Sequence, residues 1–187
     1  MFYKKLVIGA LASVTACFSF AEDSGLSYTH IGLSYQSVEL DEEDGDGYAI
    51  AGNMAINDSF FLLGQYSSIA IVDDFELAML GLGIGYHTAM ATNVDFVTSL
   101  SFVGAKTDFD GDSNDANGSL IAAGVRAKPT KTLELGAAIN YIDIENEGAV
   151  GYSLSGRVFA TPKFSLGLGL ESVVNIDRIS LDVRFDL

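Results

Sequence analysis

The chain has 187 residues, enough for one domain, and 25 acidic against 10 basic side chains give it a formal charge of −15. Such an acidic chain, with no basic patch, is not expected to take nucleic acid as a partner. Hydrophobic residues make up 49% of it, alongside 20 glycines and two prolines, yet beyond the first two dozen residues no apolar run is long enough for a helical membrane span. Hydrophobicity spread over short alternating strands accounts for both facts.

In chain order, Met1 to Lys5 carries two lysines and no acid, and Leu6 to Ala21 is apolar or small, closing on Ser19-Phe20-Ala21 before Glu22-Asp23. This reads as a secretory signal peptide over 1–21, leaving 22–187 as the mature domain. A spanning helix wants about 20 apolar residues, more than this run supplies. Val14-Thr15-Ala16-Cys17 also fits a lipobox, so acylation at Cys17 stands as the alternative to cleavage after Ala21. Cys17 is the sole cysteine, which excludes an intramolecular disulfide. Loss of Lys4 and Lys5 with the leader takes the formal charge from −15 to −17.

Alternation of apolar with polar or small residues predicts strands over about 27–38, 47–56, 59–70, 76–87, 93–106, 118–128, 132–143, 149–160, 163–171 and 177–187. The last is the clearest. Ile179, Leu181, Val183, Phe185 and Leu187 share one face, and Arg178, Ser180, Asp182, Arg184 and Asp186 share the other. The third is the weakest, because Phe60-Phe61-Leu62-Leu63 does not alternate. Each stretch is near the roughly 9 to 11 residues that a tilted strand needs to cross the hydrocarbon layer. The expected fold is all-β, an antiparallel up-and-down transmembrane β-barrel of ten strands, or of eight if two of the weaker strands belong to a loop excursion.

The connections sort by length. Asn57-Asp58, 88–92, 129–131 and Thr161-Pro162 are short and hold both prolines, whereas 39–46, 71–75, 107–118, 144–148 and 172–176 are read as the outer loops. Short periplasmic turns, longer outer loops and two periplasmic termini are the rule for outer-membrane barrels. Charge follows the same division. Glu39, Asp41, Glu42, Glu43, Asp44 and Asp46 crowd the first long connection and Asp108, Asp110, Asp112 and Asp115 the third, while Arg126, Lys128, Lys131, Arg157, Lys163 and Arg184 flank the short turns or the C-terminus.

Gly25 to Tyr35, the acidic Asp-Gly connection, Gly47 to Ile56, and Asn57 to Ser67 together resemble the opening of small bacterial outer-membrane β-barrel proteins of the porin-like superfamily. The resemblance implies an outer-membrane location, with outer-membrane lipids, lipopolysaccharide and the barrel-insertion machinery as partners. The chain departs from the usual aromatic last residue of such barrels, ending on Leu187 with Phe185 two places before it.

Alternation also assigns the lumen: Ala49, Ala51, Asn53 and Ala55; Gly81, Gly83 and Gly85; Ser99 and Ser101; Gly151, Ser153, Ser155 and Arg157. Arg126 and Glu134 flank the Pro129 turn symmetrically, so a lumen ion pair is expected between them. Asp108, Asp110, Asp112 and Asp115 suggest a calcium loop, but Ser113 and Ser119 stand where an EF-hand needs glycine and glutamate. These four remain only a weak candidate metal site, with divalent cations at the outer loops as candidate partners. Gly81-Leu82-Gly83-Ile84-Gly85 lies within a strand and is no phosphate loop. His30 and His87, the only histidines, fall near the periplasmic strand ends, away from the outer rim where a lipid- or peptide-processing barrel would need them. The expected function is non-enzymatic and cofactor-free: a structural or surface-interaction barrel with at most a narrow pore. A small-solute channel and an outer-face barrel enzyme are the alternatives.

Overall fold

The computed structural model describes residues 25–40, 43–71, 75–109, 112–145, 147–173 and 176–187. The expected signal peptide with Cys17, and Asp41, Glu42 and Asp110, lie outside the described residues. The chain forms β1 (His30–Leu40), β2 (Glu43–Ala55), β3 (Phe60–Ile71), β4 (Phe75–Ala91), β5 (Val94–Phe109), β6 (Asp112–Thr130), β7 (Leu133–Ile144), β8 (Glu147–Phe159), β9 (Phe164–Val173) and β10 (Ile176–Asp186). Each strand pairs antiparallel with the next, and β10 closes on β1 from His30 opposite Asp186 to Leu40 opposite Ile176. The barrel thus has ten strands, and closure leaves no strand edge exposed.

Its outer face is a lipid-facing belt. Ile31, Leu33, Leu80, Leu82, Ile139, Leu168, Ile179 and Leu181 all point outward and are exposed, which in water would be an aggregation surface and in a bilayer is the required one. Tyr35 and Tyr48 pack edge to face at 5.4 Å, and with Tyr66, Tyr141 and Tyr152 they ring the middle and distal part of this belt. Phe60, Tyr86, Phe164 and Phe185 ring it near the rim that carries Gly25 and Leu187. We call this the terminal rim and the opposite one the distal rim.

The strands run further than their composition suggests. Glu43–Asp46, Asp112–Asn117 and Glu147-Gly148 were expected in outer loops and instead extend β2, β6 and β8. Asp44 lies opposite Glu39, Ser113 opposite Asp108, and Asp115 opposite Lys106. A continuous ladder of main-chain hydrogen bonds outweighs the low strand preference of Asp, Asn and Gly. The two rims therefore do not differ in connection length as expected. Intervals between strands are two or three residues at the distal rim and two or four at the terminal one.

Strand β3 also resolves its irregular sequence. Phe60 and Leu62 face lipid, whereas Phe61 and Leu63 point inward and pack there. Ala55, expected in the lumen, is exposed where β2 runs out. Pro129 sits where the β6–β7 register slips between Ala127 and Thr130, a place that needs no proline N–H. The β4–β5 turn uses Asn93 at a φ of 63°, a left-handed conformation that asparagine tolerates.

Candidate functional site

The interior of the barrel is the candidate site, and it is filled in three levels. At the terminal end, β6 brings Arg126 and β7 brings Glu134 to the inner wall on either side of their turn, and the two are hydrogen-bonded as an ion pair. Glu134 lies opposite Arg157 of β8 in register, with Arg157 Nε 3.8 Å from Glu134 Oε1. Arg184, projecting from β10, brings its Nη1 to 3.4 Å of the same oxygen. One carboxylate is thus shared by three guanidinium groups. Asp182 and Asp186 balance the surplus, pairing with Arg157 and Arg184 at 2.6 Å each. Arg157 Nη1 also donates to the Ser165 hydroxyl at 3.2 Å. The cluster fits because of small neighbours: a Cβ at Gly167 would strike the Asp182 carboxylate. Arg126, Glu134 and Arg184 are all under 5% exposed, so these charges are held by one another rather than by solvent.

The other half of the terminal mouth is closed by the segment 25–29, which precedes β1. It crosses the opening as a strap. Gly25 accepts a hydrogen bond from Lys128 Nζ on β6, the strand farthest from β1 around the ring. Leu26 and Tyr28 are buried beneath it with Phe61 and Val97. The Tyr28 ring stacks on His87 at 3.5 Å between centroids and lies 4.9 Å from Phe61. Phe61 in turn occupies the space where Gly85 lacks a side chain, so any Cβ at Gly85 would overlap its ring. The strap is tied at its other end too, since Thr29 O accepts from Leu187 N at 3.0 Å and Thr29 Oγ1 from Ala55 N at 3.2 Å.

The middle level is polar. Gln36, Gln65, Ser67, Ser101, Asn140 and Ser180 turn inward and are buried, and Glu171 and Arg178 form a second ion pair at 3.1 Å. Ser67 is 0% and Asn140 1% exposed, so water entering from either mouth does not reach them.

The distal level is an aliphatic core that the small-residue lumen did not anticipate. Val38, Ile69, Phe75, Leu77, Met79, Val103, Leu120, Ile142, Ala149, Val173 and Ile176 pack together in it, and among the described residues every strand except β2 contributes. There β2 offers glycine, and a Cβ at Gly47 would run into the β3 backbone. The sequence does carry the signal. Within one inward phase the residue type switches along a strand, from Glu134 and Asn140 to Ile142 and Ile144 on β7, and from Arg184 and Ser180 to Ile176 on β10.

The acidic candidates do not converge. Asp108 pairs with Lys106 at 3.1 Å, Asp112 and Asp115 are exposed along the opposing strand, and Asp110 lies outside the described residues. Among the described residues no group of three or more His, Cys, Asp or Glu is placed to hold a metal ion. The histidines remain apart, His30 on β1 and His87 on β4. His87 Nδ1 is 3.9 Å from Asp95, but both of these side chains are buried at the terminal end, with the strap's Tyr28 stacked on His87.

No family model and no curated protein matches the sequence. Solved structures do match the fold. A KdgM porin in complex with disordered oligogalacturonate superposes with a TM-score of 0.50 at 6% identity, covering 83% of this chain and 99% of that one. Neisserial surface protein A aligns at 0.42 with 16% identity over 85% and 96%, and OprG from Pseudomonas aeruginosa at 0.43 with 11% identity over 89% and 100%. The shared fold is that of bacterial outer-membrane barrels.

Proposed function

We propose that this outer-membrane β-barrel is a closed, non-enzymatic wall protein, acting through its membrane-embedded surface and its acidic distal hairpins rather than through a pore. The observation that carries the reading is the filled lumen. The guanidinium cluster and the strap share the terminal level, buried polar side chains take the middle and the aliphatic core takes the distal level of a ten-strand ring, and barrels of about eight strands have interiors that side chains can just fill, while water-filled general porins need about 16. The likeness to a porin extends to the fold alone. A channel would need the apolar distal level to be wet, and residues such as Leu77 and Val103 at 0% exposure oppose that. A catalytic role is disfavoured by the position of both histidines deep at the terminal end.

Planar-bilayer recording of the purified protein tests this reading. Conductance should be absent or far below that of a general porin, and a stable porin-sized step would overturn it. At the distal rim, Asp44, Asp46, Asp112, Asp115 and Glu147 are exposed. Lipopolysaccharide phosphates concentrate negative charge at the same surface, so divalent cations should bridge the two. Calcium or magnesium should accordingly raise the unfolding midpoint in lipopolysaccharide-containing bilayers, and a variant with these five acids neutralised should lose most of that gain. An unchanged response in the variant would leave the acids as solvated tips.

A further inference from the structure

The terminal rim carries a recess of about 800 Å³ between the β6–β7 and β8–β9 turns, large enough for a small ligand. Lys128, Lys131, Asn93, Thr132, Phe159 and Pro162 are among its lining, and no carboxylate is. A neighbouring recess shares Gly25, Lys128 and Pro162 with it and adds Lys163, there accompanied by Asp58, Asp186 and the C-terminal Leu187. In a chain with 25 acids against 10 bases, this gathers every lysine of the described residues except Lys106. Lys106 has its carboxylate partner in Asp108, whereas Lys131 makes no hydrogen bond or ion pair with any described residue. The turns that hold these amines are preorganised. Thr130 Oγ1 accepts from the main-chain N–H of Thr132 and Leu133, and Thr161 Oγ1 does the same for Lys163 and Phe164.

Position relative to the bilayer identifies the occupant. Lys163 Nζ lies 5.9 Å from the ring centre of Phe185, and Phe185 and Phe164 belong to the exposed aromatic ring of the lipid belt. An amine beside that ring sits at headgroup depth, with its alkyl stem on the apolar side. The recess between the two turns is concave, is lined by the amines of Lys128 and Lys131 with the Asn93 amide and no carboxylate side chain, and adjoins Lys163 at headgroup depth, which suits it to a phosphate diester. We infer that this recess binds the phosphate of an acidic phospholipid headgroup in the leaflet facing the terminal rim. The inference rests on the outer-membrane reading and adds to it a lipid-selective site on the chain itself.

The test is lipid retention by the folded, full-length mature barrel, exchanged from detergent into mixed phosphatidylglycerol and phosphatidylcholine and read by native mass spectrometry. Phosphatidylglycerol should be retained preferentially, and K131Q/K163Q should lose the preference by roughly fivefold for each amine removed. Lys128 is left intact because it ties down the strap. Heat-modifiable migration of the double variant keeps loss of lipid separate from loss of the barrel, and recovery of the protein in soluble form would defeat the membrane reading itself. Equal retention of the two lipids, or the same preference in K131Q/K163Q, would overturn the proposal. Displacement of the lipid by millimolar inorganic phosphate, with no return of lipid selectivity, would assign the recess to a soluble ligand instead. A preference appearing only in E22Q/D23N would assign it to the chain's own acidic residues.

Discussion

The two ends of the lumen are closed by opposite chemistries. The terminal end uses buried charges and stacked rings, whose partners are individually specified: Glu134 has three arginines, and Tyr28 has His87. The distal end uses aliphatic packing that any well-shaped set of side chains could supply. Both exclude water, but they fail differently. Removing one member of an ionic cluster strands the others in a low-dielectric interior, whereas trimming an aliphatic residue leaves a cavity whose cost scales with its volume.

The largest effect is expected from Glu134→Ala, which leaves Arg126, Arg157 and Arg184 crowded without their common carboxylate. Urea unfolding in detergent should show a loss of about 3–5 kcal/mol. Bilayer conductance should stay low even so, because the distal core remains; a porin-sized conductance from this variant would mean that the ionic cluster alone closes the barrel. A somewhat smaller loss, about 3 kcal/mol, is expected for Leu77→Ala at the other end, against under about 1.5 kcal/mol for Leu77→Met, which conserves volume. Equal costs for the two substitutions in the same unfolding assay would deny that shape governs the distal level. Tyr28→Leu keeps the strap's apolar bulk and removes the ring stack, so about 1 kcal/mol should be lost. Protease protection near residues 25–29 would register whether the strap then lifts. The smallest change, within about 0.5 kcal/mol, belongs to K106Q/D108N, because that pair is exposed and solvent-screened. A large effect there would indicate that the β5–β6 hairpin contributes more to stability than its exposure implies.

Much of the architecture is legible in the amino-acid sequence. Period-2 alternation placed all ten strands to within a few residues, apart from the acidic extensions of β2 and β6, because a lipid-facing wall repeats one rule at every strand. The same alternation faced Arg126, Glu134 and Arg157 inward and left Lys128, Lys131 and Lys163 at one rim. These are local properties, set by which side of a pleat a residue occupies. What fills the lumen was not local. Arg184 of β10 meets Glu134 of β7, and Tyr28 of the strap meets His87 of β4, only once the ring has closed with its register fixed. Nor does alternation say that the residues before β1 turn across the mouth, since they carry no periodic pattern at all. A strand's own sequence determines which residues face inward; what they touch is decided by neighbours up to five strands away, and closure of the ring sets that distance.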